Sequence, residues 1–581
     1  MIRLLLMLTL SLVTACTTQP SDLMTNEASQ KVHPTLAAHS QIFNKRVEKV
    51  TDGVYVAIGY ALANSIMLEG DDGLVIVDVT ESVESGRAVM AAFREISSKP
   101  IKALIYTHNH ADHVFGGTGY FPEGAPADLP VYAHESTNYY INRFANIIQP
   151  TILRRSTRMF GTLLPEGEEG VVNAGIGPYL AQGGHSGGTV GLLRPNRTFR
   201  DRLAFTVAGI DIELIHAPGE TNDQLFVWLP QKRVLLPGDN IYQAFPNLYT
   251  IRGTLYRDVL EWAYSLDKMR DLKPEHLVPS HTVPVSGEAE VAALLRDYRD
   301  AIQYVHDQTI RGMNQGKTPD ELVESVQLPP HLKNHPWLLE HYGRVSWSVR
   351  NIYNGYLGWF NGEAETLTPL SPATRAESLV RLAGGSEAML AEAESALQSG
   401  RYQWAAELAS YLLHAGEAEA QARAIKAEAF TRLGYASQNP NGRHYYLTQA
   451  GELAGVHEIK PIAIGGDKLA LARSLPITDV LSALPVNLDA EKSIDTDRVV
   501  NFHFTNTDER YFVHVRRGVA EVRQGQYPGE ALQVTTTTQV LTEVLVQARG
   551  VPGALASGDL KLERGLRDVP SFVSFLLLFK D

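Results

Sequence analysis

Apolar and polar positions change rhythm several times along the chain, and each change marks an element. Three short apolar runs come first: Val54-Tyr55-Val56-Ala57-Ile58, Ser65-Ile66-Met67-Leu68 and Leu74-Val75-Ile76-Val77-Asp78. Asp71-Asp72-Gly73 separates the last two, and runs of this length bounded by turn formers predict strands. Residues 81–97 have helical spacing and residues 101–106 form another apolar run, so strand, helix, strand predicts an α/β layer. Similar strands are expected at 211–216, 225–229, 233–236 and 276–278. After about Ser286 the period becomes helical. Residues 289–315 predict one long amphipathic helix, and 377–453, rich in Ala, Leu and Glu, predict helix pairs or a plain bundle. From Ile477 onward strands return. Residues 499–505 and 511–515 alternate, Arg516-Arg517-Gly518 turns, and 519–523 answers; 538–548 then reads as helix and 572–579 as a strongly apolar end. This last region predicts an α+β domain.

A chain of 581 residues holds two to four domains. The net charge of −13 argues against nucleic acid as a partner, because phosphate binding needs a basic face. It does not argue against a small anionic substrate, since a metal site inverts the local field. The single cysteine, Cys16, excludes an intramolecular disulfide. It follows Arg3, an apolar stretch over 4–12 and Val13-Thr14-Ala15, a signal-peptide pattern too short to span a membrane comfortably. The small residues before the cysteine resemble a bacterial lipoprotein cleavage box. That resemblance implies export, cleavage before Cys16 and a lipid anchor as the only membrane attachment. Residues 16–45 are then expected to be a tether.

The chemistry concentrates in Thr107-His108-Asn109-His110-Ala111-Asp112-His113, directly after the strand expected at 101–106. Four donors within six positions on a loop leaving a buried strand predict a metal site. His108 and His110 can converge on one ion, Asp112 and His113 on a second; imidazole with carboxylate suits zinc and similar borderline ions. The motif resembles the signature of the metallo-β-lactamase superfamily, which implies an αββα sandwich around two metal ions with further ligands downstream. In most of that superfamily a Pro-Gly-His element comes next. Here the chain reads Pro218-Gly219-Glu220, which is similar to the alkyl sulfatases. The resemblance implies that Glu220 is a ligand, that Asp239 in Pro237-Gly238-Asp239 bridges both ions, and that His281 completes the set. Alkyl sulfatases usually carry Glu where Asp239 stands. Asp223 is a rival ligand to Glu220, Asp239 could be a turn former, and His281 could be a surface or capping residue. Asp78 is expected to orient a ligand; His134, His185, His216 and His276 are expected to be structural.

Asn247-Leu248-Tyr249-Thr250-Ile251-Arg252-Gly253 is similar to an alkyl sulfatase segment, which implies that Arg252, with Asn247 and Tyr249, grips a sulfate. A guanidinium suits that work because its planar fork pairs with oxyanions. Tyr342-Gly343-Arg344-Val345-Ser346-Trp347 and Tyr356-Leu357-Gly358-Trp359-Phe360 resemble the start of the family's dimerisation domain, and the C-terminal region resembles sterol-carrier-like domains that receive an alkyl tail. The expected organisation is a signal peptide at 1–15, a tether at 16–45, a catalytic domain at 46–295, an all-α dimerisation domain at 296–460 and a sterol-carrier-like domain at 461–581. The expected activity is hydrolysis of alkyl sulfates by a homodimer holding two zinc ions per chain. The rivals are a phosphodiesterase or lactonase on the same site, and a lipid- or detergent-binding lipoprotein with a vestigial one.

Overall fold

A computed structural model describes residues 30–145, 147–180, 188–460 and 467–580. The expected signal peptide, Cys16 and His185 lie outside the described residues.

Two sheets face each other. In the first, the strands Arg46–Thr51, Val54–Ile58, Ser65–Glu69 and Leu74–Val77 run antiparallel in order, and Ile101–Ile105, Val131–His134 and Arg197–Phe199 continue it in parallel. The second holds Arg202–Val207, Ile210–His216, Leu225–Leu229, Val234–Leu236, His276–Leu277 and Val285–Ser286. The all-apolar strands explain themselves by position. In Leu225–Leu229, Leu225, Val227 and Leu229 point between the sheets, toward Val75, Val77 and Ile105. Phe226 and Trp228 point outward, against Trp262 and Leu266 of the helix Val259–Asp271 and Leu295 of Glu288–Asn314. On the other outer face, Ile76 and Leu104 meet Val89, Met90 and Phe93 of the helix Val83–Arg94. A strand covered on both faces needs no polar positions, and each Leu or Val buried this way contributes about 1.5–3 kcal/mol. The layers are therefore helix, sheet, sheet, helix.

Two expectations need correction. The stretch read as a tether is folded from Pro34 on: Pro34–His39 and Ser40–Phe43 are helical, with Leu36, His39 and Phe43 buried. Its polar composition hides the few apolar positions that anchor it. The boundary expected after residue 295 falls inside the helix Glu288–Asn314. Leu295, Tyr298, Ile302 and Val305, with Val349 and Ile352 of Val345–Leu357, share one core with the catalytic sheet. A separate helical core begins only with Pro372–Leu382 and runs through Ser386–Gln398, Tyr402–Ala415 and Glu419–Ala436. The helix Pro440–Leu453 returns to pack on Gln149–Phe160 beside the site.

The C-terminal α+β unit is a five-stranded sheet, ordered 519–524, 509–516, 497–504, 532–536, 561–562. Its core joins Val500, Phe502, Phe504 and Val513 to Leu481, Leu541, Phe572 and Phe575. Its opening segment differs from expectation, since Ile477–Ser482 is helix rather than strand; the strongly apolar end forms the helix Val569–Leu576. Among the described residues no helix is long and apolar enough to cross a membrane.

Candidate metal centre

The expected ligands converge at the C-terminal end of the strands Leu74–Val77 and Ile101–Ile105 and the facing end of the second sheet. His110 caps a single helical turn, Ala111–Val114, that follows the first sheet's fifth strand, Ile101–Ile105. Two Pro-Gly turns bring the downstream acids in. At Gly238 (φ 60°) a Cβ would lie 2.0 Å from the Gln224 side chain, and at Gly219 it would lie 2.1 Å from Asn240 Oδ1. Only glycine allows these approaches, and each places the following acid, Asp239 or Glu220, at the site. Asn240 ties the two turns together: its Oδ1 accepts the Glu220 N–H (3.2 Å) and its Nδ2 donates to Ala217 O (2.8 Å).

Three histidines present a bare Nε2 to the centre, and the reason lies behind each ring. Asp78, buried in a left-handed backbone conformation (φ 58°), accepts from the Thr107 N–H (2.8 Å), the Thr107 hydroxyl (2.9 Å), the Ser280 hydroxyl (2.7 Å) and His113 Nδ1 (2.8 Å). His113 Nδ1 therefore carries the proton. His281 Nδ1 donates to Leu62 O (2.9 Å). The Thr107 hydroxyl, whose proton goes to Asp78, accepts from His108 Nδ1 at 3.1 Å. In the neutral form that ligates a metal, each of the three rings therefore turns an unprotonated Nε2 inward. These atoms lie 3.6, 3.4 and 3.2 Å from Asp239 Oδ2 for His108, His113 and His281, and Asp112 Oδ2 stands 3.4 Å from both His113 and His281. Lone pairs facing carboxylate oxygens at this range repel unless a positive charge sits among them. His113 Nε2 and Asp239 Oδ1 are buried with no hydrogen-bond partner.

The same demand shows in the acid–base balance. Burial pulls His113 down, but Asp239, Asp112 and Asp78 outweigh it and hold the ring well above its ordinary value. Burial would raise Asp239, yet His113, His281 and His108 hold it well below the carboxylate range. His108 and His110 are pushed well down, chiefly by burial, and stay neutral, the form that ligates. Donor atoms gather in three groups, each within 4.8 Å: His108, His113 and Asp239; Asp112, His113 and His281; His110, Glu220 and Asp239. The donor set, the orphaned atoms and the buried negative charge all fit divalent cations. The grouping differs from the expected division of the motif, because His113 faces both His108 and Asp112 and Asp239 stands between.

His110 behaves differently from the other rings. Arg252 Nη2 lies 3.0 Å from its Nε2, and its Nδ1 lies 2.8 Å from His108 Nε2. An arginine only donates, so the proton of neutral His110 sits on Nδ1; for that nitrogen to serve as a ligand, the proton would have to move to Nε2 and the Arg252 contact to give way. Glu220 is held by Arg257 (Nη1–Oε1 3.0 Å), with both side chains 2% exposed, and by the Tyr242 hydroxyl (3.2 Å). The rival Asp223 is taken up by Asn109 (2.5 Å) and Thr137 (2.8 Å) and joins no donor group. Asn247 is buried beside Arg257, and Tyr249 is half-buried on the same segment. His134 and His216 stack on each other (4.0 Å) and His276 bonds Ser286, all away from the donor groups. Sequence reasoning missed Arg257, Tyr242 and Asn240. Arg257 precedes the helix cap Asp258, where an arginine reads as a surface residue.

Comparison with known proteins matches three family models: the metallo-β-lactamase superfamily over residues 59–281, alkyl sulfatase dimerisation over 318–455 and the alkyl sulfatase C-terminal domain over 466–580. A linear primary-alkylsulfatase of Pseudomonas sp. is 39% identical over 521 residues, covering 87% of this chain and 97% of that protein. An (R)-specific secondary-alkylsulfatase of Pseudomonas sp. is 30% identical, covering 95% and 84%. The solved structure of a stereoselective inverting sec-alkylsulfatase from Pseudomonas sp. superimposes with a TM-score of 0.87 at 28% identity, covering 96% and 88%. The chain belongs to the alkyl sulfatase family of the metallo-β-lactamase superfamily.

Proposed function

We propose that this chain hydrolyses alkyl sulfate esters to an alcohol and inorganic sulfate at a centre of two divalent cations, zinc by preference. The observation that carries the reading is the meeting of a metal-donor cluster with Arg252 and Asn247, cationic and amide groups suited to a sulfate, in a chain whose relatives are alkylsulfatases. His108, His110, Asp112, His113, Glu220, Asp239 and His281 hold the ions. When bound, the two cations supply an activated water and neutralise an anionic ester. The chain's own residues do the rest. Asp78, Leu62 and Thr107 fix the histidine tautomers, while Arg252, Asn247 and Tyr249 receive the sulfate. The C-terminal unit takes the alkyl tail, and the working form is a homodimer.

The test is a panel of alkyl sulfates, phosphate diesters, lactones and a β-lactam, run with metal content measured on the same preparation. The expected result is about two zinc ions per chain and turnover of alkyl sulfates above the other classes. Arg252→Ala should lower kcat/KM for every alkyl sulfate, whatever its length, by a factor corresponding to about 2–5 kcal/mol. An unimpaired Arg252→Ala enzyme, or preference for another ester class, would overturn the reading.

A further inference from the structure

Buried polar atoms without partners are uncommon and call for an explanation, and around the donor cluster they concentrate on two adjacent residues. Arg257 is 2% exposed and spends one of its three guanidinium nitrogens on protein: Nη1 meets Glu220 Oε1 at 3.0 Å and also donates to the Asn247 carbonyl. Its Nε and Nη2 have no partner. Asn247, 1% exposed, has neither its Oδ1 nor its Nδ2 satisfied. The two are joined through the Asn247 carbonyl, and both are buried where water cannot serve them freely.

We propose that Arg257 is a second guanidinium of the substrate's anion subsite, acting with the Asn247 amide and Arg252 on a tetrahedral oxyanion, and is not solely the counter-ion of Glu220. This deepens the proposed function and rests on it for the identity of the anion as a sulfate ester. Three features carry it. Glu220 occupies only the Nη1 end of a planar fork. The remaining N–H groups are charge-assisted donors, which pair most strongly with anionic oxygens. Arg252 meets the donor cluster at His110 (Nη2 to Nε2, 3.0 Å) and Arg257 meets it at Glu220, so two guanidinium groups border one site that an anion would bridge. Arg257 thereby couples the two halves of the centre, Glu220 on the metal side and Asn247 on the substrate side.

The experiment uses metal-loaded full-length protein with Arg257→Lys and Arg257→Gln. Lysine keeps the charge but lacks the fork that reaches Glu220 and the anion together. Three readouts are taken: zinc content by mass spectrometry, binding of inorganic sulfate by calorimetry, and KM against kcat for short and long alkyl sulfates. The expected result for Arg257→Lys is wild-type zinc content, sulfate affinity reduced about ten- to hundredfold, and an equal loss in kcat/KM at every chain length. Arg257→Gln should lose more sulfate affinity than Arg257→Lys. Zinc loss with unchanged sulfate affinity per loaded site would overturn the proposal, leaving Arg257 as a partner of Glu220 only. Unchanged values in all three readouts would overturn it too. A wild-type protein whose sulfate binding depends on Arg257 but that does not hydrolyse alkyl sulfates would keep the subsite and refute the sulfatase reading.

Discussion

Asp78 shows how much of this centre is set by residues that bind no metal. Its two oxygens collect four hydrogen bonds, from Thr107 twice, Ser280 and His113, and through Thr107 they reach His108 as well. An amide in its place cannot accept from all of these, since one of its two heads donates. Asp78→Asn should therefore weaken zinc affinity about 10–100-fold, the usual cost of losing such an outer partner. Chelator competition at constant pH measures it; an unchanged affinity would remove the orienting role. The convergence of these donor side chains was legible because the motif is dense and follows a strand. Orientation was legible only in outline, since the sequence places Asp78 at a strand end but not against His113. Arg257 was illegible, because its function depends on a loop folding back over Glu220, which no local pattern records.

Among elements, the long helices and all-apolar strands were readable because burial imposes a period on them. The helical turns at 34–43 were not, since only Leu36, His39 and Phe43 carry the contact. That segment ends in a polar junction. His39 stacks on His341 at 4.1 Å and bonds Gly175 O (2.8 Å), while His341 bonds Gln438 O (3.3 Å). Burial, and for His39 also His341, lowers them to about 3 and about 4 respectively. Both rings are thus neutral when folded, whereas the unfolded chain begins to protonate them near pH 6.5. The stability they contribute is complete above that pH and is lost as pH falls from about 6.5 toward 4. Each ring adds a slope of up to about 1.4 kcal/mol per pH unit. His341→Phe keeps a ring on the stack and removes one titration, so its urea-unfolding free energy should fall less steeply over this window. Parallel profiles for variant and wild type would refute the assignment.

At the scale of the molecule, the order of three units was readable, but their joins were not: the helix Glu288–Asn314 belongs to two of them at once. From the last turn of the helix Val345–Leu357 onward the chain exposes Tyr356, Leu357, Trp359, Leu367 and Leu370, with Trp359 71% exposed. Apolar groups clustered in this way mark an interaction surface, and this one lies within the segment matching the alkyl sulfatase dimerisation model. Sedimentation at micromolar concentration should show a dimer, and Trp359→Asp should shift it toward monomer while zinc content is retained; a variant as dimeric as wild type would place the interface elsewhere.

The C-terminal unit raises the last question, because its core is complete without the rest of the chain. Val500, Phe502, Phe504, Phe572 and Phe575 pack among themselves and their neighbours in the same unit. Polar contacts tie it to the catalytic unit, Asn142 to Asp479 (2.7 Å) and Arg194 to Ser474 (3.1 Å). Such a unit can be removed without opening the metal centre, whose donors all come from residues 108–281. If it holds the alkyl tail, a chain ending at residue 460 should keep its zinc and lose the gain that each added methylene brings. A buried methylene is worth about 0.8 kcal/mol, or about fourfold in kcat/KM per carbon. The plot of log kcat/KM against carbon number should therefore be steep for the full chain and nearly flat for the shortened one, the two meeting at the shortest esters. A uniform drop at all lengths, in a folded and zinc-loaded protein, would instead give the unit a supporting role. Nothing about the sulfate end should change, since Arg252, Asn247 and Arg257 remain in place.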